Sequence, residues 1–426
     1  MTPFEDRYKN RVSEIREIFG EENYLRIMFD IEVAWWYAIN NPKAGIAEFA
    51  IFFNEVKHKF SYKRIKEHEC ETNHDVVALV RFLKEDCGMT NAHYGLTSQD
   101  VVSLAYSISA YKASKFIGTK LGSLCDDLKT FYGSVDRMVG YTHGQKATPI
   151  STQNLLDVII NEDKIGISSM RDRLKIRPET RFGNGACGDR YSIKNVENEW
   201  EFEKNVKRCL TMVSCAHDIS GLNRSTYSRQ TDYYPYIVSL SETIKLLSLL
   251  LKRESVNIWL LASKGIVVKI NTAQEAGSSA MPQKVNPIEF ENAEGNAELC
   301  EAMANVMINK AMSSRLDRDL SDLTVMRNLG SMFGYLTLAI TSMSRGLKRY
   351  SLDADLIEET ISNSHEMLAE SVSLMMQKNG VAGAYDIAKG MFMSKKDMSR
   401  EDFEDCVMGS EEIPEEIKQE LLKLEL

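Results

Sequence analysis

Proline is absent between Pro287 and Pro414, a stretch of more than a quarter of the 426 residues. A proline inside a helix removes a backbone hydrogen bond and clashes with the preceding turn, so this stretch permits long helices. Between Tyr236 and Lys269 the apolar residues recur mostly at three- and four-residue spacing, which is typical of one helix face. These residues are Ile237, Leu240, Ile244, Leu247, Leu251, Ile258 and Leu261. The spacing predicts one helix over 236–269, with this apolar stripe in a bundle core.

A second long helix is indicated by the residues that follow the first. Asn286, Pro287 and Glu289 offer an N-cap, a proline at the first helical position and an acidic residue in the first turn. This helix is predicted to run to about Ser313. Strand-like segments are short and few, so the sequence predicts an all-α fold.

Periodicity breaks near residues 89–94 and again near 350–355, after which the sequence becomes acidic. We therefore expect three helical domains: an N-terminal domain over 1–94, a central long-helix bundle over 95–350 and a C-terminal domain over 351–426. No repeat with a period of 20 to 50 residues is apparent in the sequence.

Composition excludes several functional classes. Lys and Arg number 52 against 61 Asp and Glu, so the net charge of −9 favours neither nucleic acid nor an anionic membrane as a partner. No apolar run approaches the roughly 18 residues of a membrane-spanning helix, and the N-terminus has no signal-peptide pattern. The eight cysteines form no C-x-x-C pair, and together with the seven histidines they show no spacing typical of metal ligands. We expect a cytoplasmic protein with reduced thiols and no metal.

The most informative segment is GSSAMPQKVNP at 277–287. Small residues, a proline and a lone lysine directly before a helix form a loop whose backbone N–H groups and Lys284 can close over an anion. This string resembles the signature of the fumarase/aspartase superfamily of lyases. HYGLTSQD at 93–100 and YTHGQ at 141–145, followed by ATP at 147–149, resemble two further blocks of that superfamily in the same order.

Other segments resemble the adenylosuccinate lyase family within that superfamily. They are NHDVV at 73–77, the Arg7-Tyr8 pair, FEN at 290–292 with EGN at 294–296, SRLDRDL at 314–320 and RNLG at 327–330. The resemblance covers about residues 7–350. It implies release of fumarate by β-elimination from adenylosuccinate and from succinylaminoimidazole-carboxamide ribotide, with a nucleotide substrate and no cofactor.

The resemblance also implies a homotetramer whose long central helices form one core and whose active sites are shared between subunits. We expect one chain alone to leave much of the stripe from Ile237 to Leu261 exposed.

By resemblance Ser278 is the base that removes a proton beside a carboxylate, and His143 is the acid that protonates the leaving nitrogen. A serine hydroxyl is a weak base, so Lys284 and the following helix N-terminus must stabilise its alkoxide. Asn286 either donates to the same substrate carboxylate or serves as the N-cap. His74 orients a substrate carboxylate, supports His143 or caps a helix.

The nucleotide half of the substrate needs cations for its phosphate. Arg7, Tyr8, Arg318 and Arg327 match family positions that contact this half, and Thr97 and Ser98 match a turn that holds a substrate carboxylate. The remaining expected substrate contacts are Asn73, Asp75, Thr142, Ser279 and Met281.

Two positions depart from the family pattern. Ser225 stands where a glutamine is usual, and Leu323 stands where a serine is expected, although Thr324 could substitute for it. Each departure forfeits a hydrogen bond worth about 0.5 to 1.5 kcal/mol unless a neighbour replaces it. Two alternatives stay open: another lyase of the superfamily, such as an argininosuccinate lyase, and a catalytically silent structural or binding protein on the same scaffold.

Overall fold

Helices dominate the computed structural model, which describes residues 3–225, 227–270, 281 and 285–426. In the first half of the chain the α-helices are α1 (Ser13–Phe19), α2 (Glu21–Asn40), α3 (Ile46–Val56), α4 (Tyr62–Thr72), α5 (Asp75–Glu85), α6 (Ser98–Tyr132), α7 (Thr152–Leu156), α8 (Ile167–Arg173), α9 (Tyr191–Lys194) and α10 (Glu199–Ala216). In the second half they are α11 (Pro235–Ser263), α12 (Ile288–Ala311), α13 (Ser321–Met326), α14 (Leu329–Arg349), α15 (Ala354–Ser362), α16 (Ala369–Lys378), α17 (Ala384–Phe392), α18 (Arg400–Met408) and α19 (Glu415–Leu421). Short 3-10 turns at Lys57–Lys59 and His365–Leu368 and a π-turn at Asp157–Asn161 complete the helical structure that is described.

The described strands form three small pairs. Their bounds are β1 (Arg137–Thr142), β2 (Gln145–Ser151), β3 (Glu179–Thr180), β4 (Asn223–Arg224), β5 (Val267–Lys269) and β6 (Tyr350–Leu352). β1 pairs with β2 and β5 with β6 in antiparallel fashion, while β3 and β4 are parallel. The prediction of an all-α fold with minor strands is confirmed.

The chain divides into two compact units. The first comprises Met1–Gly122, Ile167–Arg253 and Asn292–Ser342, and the second comprises Ser123–Gly166, Glu254–Glu291 and Met343–Leu426. Each unit collects three separate segments of sequence, because the long helices α6, α11, α12 and α14 begin in one unit and end in the other. The division into domains at residues 94 and 350 stays a prediction.

In the first unit, the long helices pack as a bundle. The Ser241 hydroxyl of α11 lies 3.9 Å from the Met332 sulfur of α14, and the Cys300 thiol of α12 donates to the Met332 carbonyl at 3.4 Å. Ser241 and Ser248, seven residues apart on α11, are fully buried. Such small side chains allow neighbouring helices to approach closely.

The apolar stripe of α11 is buried within the single chain. Ile237, Leu240, Ile244, Leu247, Leu251 and Ile258 are each at most 1% exposed, and the last residue of the stripe, Leu261, is half-buried. The expectation that one chain would leave much of this stripe exposed is therefore wrong, because helices of the same chain already cover it. The large apolar side chains that α11 does expose are Leu249, Trp259 and Leu260, which lie on a different face.

The end of α11 also differs from the prediction. The helix stops at Ser263 because Gly265 adopts a left-handed φ of 77°. The Gly265 N–H donates to the Ala262 carbonyl at 3.1 Å, and the Ile266 N–H donates to the Leu261 carbonyl at 3.0 Å. This is the Schellman pattern that closes helix C-termini. Residues 267–269, predicted as helix, instead form β5.

Helix α12 begins one residue later than predicted, at Ile288, and ends at Ala311. The Pro287 carbonyl accepts from the N–H groups of Phe290 at 3.1 Å and Glu291 at 3.4 Å. Pro287 therefore holds the N-cap position that the sequence suggested for Asn286. No described helix is both long enough and apolar enough to cross a membrane.

The helix end at Gly265 predicts opposite effects for two glycine substitutions. Gly265→Ala should lower the free energy of unfolding by about 1 kcal/mol, because a residue with a Cβ is strained at a left-handed φ. Gly118→Ala is the matched control: Gly118 lies inside α6, nothing described would touch its added Cβ, and alanine favours the helix by up to about 1 kcal/mol. Urea denaturation measures both. Equal effects of the same sign would contradict this account of the helix end.

Candidate active site

In the first unit, candidate residues gather at the start of α6. Ser98 is the first residue of this 35-residue helix, and Thr97 precedes it. The Thr97 N–H donates to Asp100 Oδ2 at 2.8 Å, while Gln230 Nε2 donates to the Thr97 hydroxyl at 3.2 Å. A helix N-terminus favours anions because its first N–H groups have no partner within the helix. The turn therefore has the character needed to hold a carboxylate.

Arg318 joins the same helix start through a hydrogen-bond network. Its Nη1 donates to Gln99 Oε1 at 2.9 Å and lies 3.5 Å from an Asp322 oxygen. Gln99 in turn donates to the Tyr234 hydroxyl, which donates to Asp322 at 3.0 Å. Gln99, Tyr234 and Asp322 are buried, whereas the Arg318 side chain keeps 21% of its surface exposed. The network therefore fixes the guanidinium while leaving one side of it accessible.

Arg327 and Asp75 line a cavity of about 430 Å³ in the same unit. The other lining residues are Phe19, Glu21, Tyr24, Leu25, Glu69, Val102, Tyr106, Ser109, Leu323 and Met326. Burial raises the pKa of Tyr106 to about 12, although Arg327 lowers it, and burial also raises the pKa of Tyr24. Both phenols are therefore protonated near neutral pH, and their hydroxyls can donate hydrogen bonds.

Asn73 and His74 lie where α4 ends and α5 begins. Asn73 is left-handed, with φ 52°, and its N–H donates to the Glu69 carbonyl at 2.8 Å. His74 is the N-cap of α5, where its Nδ1 accepts from the Val77 N–H at 3.4 Å. The helix-cap alternative for His74 is thus observed. The imidazole is also exposed, so this contact leaves Nε2 accessible to a ligand.

Arg7 and Tyr8 lie before α1. The Asn292 amide of α12 donates to the Tyr8 hydroxyl at 3.1 Å and accepts from the Ser342 hydroxyl of α14 at 2.7 Å. The exposed Arg7 guanidinium lies 6.0 Å from the centre of the Tyr8 ring. Tyr8 is therefore tied to the helix bundle of the first unit.

In the second unit, His143 lies at the tip of the β1–β2 hairpin. Thr142 pairs with Gln145, so His143 and Gly144 form a two-residue turn with φ values of 50° and 76°. Two positive φ values are typical of a type I′ turn, whose twist matches that of the flanking strands. Lys264 holds the tip, since its Nζ donates to the Gly144 carbonyl at 3.4 Å and lies over the Tyr141 ring. The His143 side chain is exposed, so it is accessible to a ligand.

The signature loop is only partly described. Ser278, Ser279 and Lys284 lie outside the described residues, whereas Met281 is 44% exposed and Asn286 is half-buried. The Asn286 carbonyl accepts from the Tyr350 hydroxyl at 3.0 Å. This bond anchors the end of the loop within the second unit.

Both departures from the family pattern have definite surroundings. The Ser225 hydroxyl donates to Glu179 Oε1 at 2.6 Å, so it is engaged within the first unit. Leu323 lines the 430 Å³ cavity beside Arg327, whereas the exposed Thr324 is not among the lining residues. Thr324 therefore does not replace the missing serine hydroxyl in this cavity.

Sequence reasoning missed several residues that hold the site. Gln99 and Asp100 lie inside the HYGLTSQD block, but the motif predicts no role for either residue. Arg181 donates from Nη1 to Asp100 Oδ1 at 2.9 Å, and both side chains are fully buried. Burial raises the pKa of nearby Asp232 to about 6, although Arg181 lowers it. Nothing in the sequence around Arg181 or Tyr234 signals these contacts.

Among the described residues, the side chains that come closest to a metal-ligand group are His68, Glu85 and Asp86. Asp86 already accepts from Arg64 Nε at 2.9 Å and pairs with His68 Nε2 at 2.9 Å. A cation would compete with the Arg64 charge there, so we assign no metal to this group.

Comparison with known proteins decides the family. Residues 6–301, well over half of the chain, match the family model described as Lyase. The chain belongs to this lyase family. Residues 314–426 match the family model described as Adenylosuccinate lyase C-terminal. The family resemblance therefore extends beyond residue 350, where the sequence motifs end.

Curated proteins that are similar to this chain agree with its assignment to the lyase family. The adenylosuccinate lyase of Legionella pneumophila (strain Corby) is 28% identical over 100% of this chain and 94% of that protein. The adenylosuccinate lyase of Escherichia coli (strain K12) is 28% identical over 93% of this chain and 89% of that protein. The comparisons confirm the resemblance to adenylosuccinate lyases and the prediction of a lyase enzyme.

Solved structures support the fold. A fumarate lyase from Mesorhizobium sp. BNC1 has a TM-score of 0.73 at 15% identity, covering 96% of this chain and 93% of that one. A 3-carboxy-cis,cis-muconate lactonizing enzyme from Pseudomonas putida has a TM-score of 0.73 at 18% identity, covering 97% of this chain and 94% of that one. The family member therefore has the fumarase/aspartase fold.

One ion pair near the start of α6 has a consequence for stability. His93 has a left-handed φ of 66°, and its Nδ1 lies 2.5 Å from Oε1 of the fully buried Glu32. Burial lowers the pKa of His93, but the Glu32 carboxylate outweighs burial and the pKa is raised. The folded protein thus binds the His93 proton more tightly than the unfolded chain does.

We expect this pair to make stability depend on pH. Its contribution is complete below the unfolded pKa of about 6.5 and is lost as pH rises through the raised folded pKa. The Tm of wild type should therefore exceed that of His93→Gln most at about pH 5.5, and the difference should shrink towards about pH 9. The exposed His58→Gln is the control and should show no such trend. A difference that grows with pH would contradict the assignment.

Proposed function

We propose that this lyase is an adenylosuccinate lyase, which cleaves adenylosuccinate to AMP and fumarate and acts likewise on succinylaminoimidazole-carboxamide ribotide in purine nucleotide biosynthesis. The observation that carries the proposal is the match of residues 314–426 to the Adenylosuccinate lyase C-terminal model. That segment contains Arg318, which donates to Gln99 at the start of α6, and Arg327, which lines the 430 Å³ cavity. Both suit the anionic groups of a nucleotide.

The β-elimination needs one base, one acid and donors for the developing charge. We assign the base to Ser278, which takes a proton from the carbon beside a substrate carboxylate. The electron pair of that C–H bond becomes the new C=C bond of fumarate, and the C–N bond breaks. His143 protonates the departing nitrogen, since an imidazole can hold a proton near neutral pH.

Donors stabilise the dianionic carboxylate that forms in this step. We assign this role to Lys284 and Asn286, and we assign binding of the second substrate carboxylate to Thr97 and Ser98. The left-handed turn at His143 supports its role, because a tight hairpin tip presents the imidazole to an incoming ligand. His74, with one ring nitrogen used in its helix cap, orients substrate through the other.

The remaining expected contacts complete the proposal. Arg7, Tyr8, Asn73 and Asp75 contact the substrate, and so do Thr142, Ser279 and Met281. No step requires a metal or an organic cofactor. We further propose that the protein acts in the cytoplasm, in agreement with the exposed free cysteines Cys70, Cys187 and Cys215.

We also propose a homotetramer with active sites shared between subunits. Apolar side chains that α11 and α12 expose support it, namely Leu249, Trp259, Leu260, Leu299 and Val306, each 41% to 51% exposed. Exposed apolar groups on neighbouring long helices are what an interface between copies would bury.

The direct test is a parallel assay of purified protein by ultraviolet absorbance. Adenylosuccinate should be converted to AMP, whereas argininosuccinate, or fumarate with ammonia, should give no change. Robust argininosuccinate cleavage without a response to adenylosuccinate would favour the alternative lyase. If protein shown to be folded converts none of these substrates, the structural or binding alternative is favoured.

The assigned acid and base predict large kinetic effects. His143→Gln and Ser278→Ala should each lower kcat by at least about 100-fold, because each removes a positioned proton transfer. The exposed His58→Gln should stay within about twofold of wild type. Circular dichroism checks that all variants are folded. A variant that keeps more than half of wild-type kcat would remove that residue from the mechanism.

Shared active sites predict that two inactive variants rescue each other. If His143→Gln and Ser278→Ala subunits are unfolded, mixed equally and reassembled at random, roughly a quarter of the sites should receive both intact residues. Activity should recover to about that fraction of wild type. Either variant reassembled alone is the control. No recovery, in a mixture shown to contain hybrid tetramers, would mean that both residues serve a site within one chain.

A further inference from the structure

We infer that Asp100 and Arg181 act as positioning residues: their buried ion pair holds the Thr97–Ser98 turn in the geometry that receives a substrate carboxylate. The inference deepens the proposed function and rests on it, because that function makes this turn a substrate contact. Neither residue needs to touch substrate. Both act through the backbone and the charge of the turn.

The first observation is that Asp100 bonds the turn from two directions. Its Oδ2 accepts from the Thr97 N–H at 2.8 Å, and its own N–H donates to the Thr97 carbonyl at 2.9 Å. This reciprocal pairing of a helix N-cap with the acidic residue three positions later fixes the backbone of the cap. The Thr97 N–H is thereby occupied. The Thr97 hydroxyl accepts from Gln230 but can still donate to a ligand, as can the Ser98 hydroxyl.

The second observation is that Asp100 is itself held from outside the helix. Its Oδ1 accepts from Arg181 Nη1 at 2.9 Å and from the Gly183 N–H at 3.0 Å. Arg181 Nη2 also donates to the Gly185 carbonyl. Arg181 and Asp100 are fully buried, so no water replaces these bonds when they are lost. The loop at 183–185 therefore holds the helix start in two ways, directly through the Gly183 N–H and indirectly through the Arg181 guanidinium.

The third observation concerns charge. Ser98 and Asp100 both lie in the first turn of α6, where the helix dipole favours an anion. An Asp100 carboxylate without a counter-ion would repel a substrate carboxylate that binds at the same helix end. Arg181 supplies that counter-ion from the buried side, so the exposed side of the turn stays attractive to an anion.

The test compares two arginine variants of the first unit. Arg181→Lys keeps the positive charge but loses the planar fork that reaches both Asp100 and Gly185. Arg208→Lys is the matched control, because Arg208 also donates to backbone carbonyls, those of Ala38, Asn41 and Ala44, and lies outside the proposed site. Measurements on both are the Tm, KM and kcat for adenylosuccinate, and amide hydrogen exchange at Thr97.

A positioning role predicts a specific combination of effects on KM, kcat and hydrogen exchange at Thr97. Arg181→Lys should raise KM about tenfold with kcat within about threefold of wild type, because ground-state binding is lost. Its Thr97 amide should exchange faster than in wild type. Arg208→Lys should lower the Tm while leaving KM and Thr97 exchange unchanged. If Arg181→Lys lowered only the Tm, as the control does, the pair would be purely structural and the inference would be overturned.

Two further outcomes keep the test decisive. If Arg181→Lys does not fold, the double variant Asp100→Asn with Arg181→Gln replaces the ion pair by neutral amides and is expected to show the same rise in KM and faster Thr97 exchange. If wild type does not turn over adenylosuccinate, the proposed function fails. Thr97 exchange in the variants still decides whether the pair holds the turn.

Discussion

Burial of the α11 stripe inside the chain's own helix bundle is the constraint on which the first unit depends. Ile244 and Leu247 are fully removed from solvent, and each such side chain contributes about 1.5 to 3 kcal/mol. Ser241 and Ser248 on the same helix are buried as well, which lets α14 approach α11 to within side-chain contact at Met332. The rigid helices that result supply fixed ends, and the candidate residues Thr97 and Ser98 lie at one of them, the start of α6.

Helix ends are useful because they combine rigidity with unsatisfied backbone groups. Ser98 begins α6, His74 caps α5, and Asn73 closes α4. His143 lies at a hairpin tip instead, where a left-handed backbone turns the chain in two residues. In every case the candidate side chain lies beside an element whose backbone cannot shift without breaking several hydrogen bonds. This arrangement fixes a site without burying it.

The candidate residues and the helical fold could be predicted from the sequence. The contacts that hold the candidate residues in place could not. The spacing of apolar residues and the positions of proline predicted α11 and α12. Three of the four predicted helix ends lie within a few residues of the observed ends. The missed end of α11 shows the limit of periodicity: Val267 continues an apolar pattern, but Gly265 had already stopped the helix by turning left-handed. A glycine permits such a turn without requiring it, so the local sequence left both outcomes open.

The sequence by itself determined the helical character of the chain, the family and the candidate site residues, because these depend on local pattern and on short strings such as HYGLTSQD. Only the tertiary structure decided that one chain covers the α11 stripe, since burial depends on neighbours that are distant in sequence. It alone also paired Arg181 with Asp100 across 81 positions. Local propensity carries no record of such a contact, because the attraction that offsets the desolvation of two buried charges exists only once folding has brought them together.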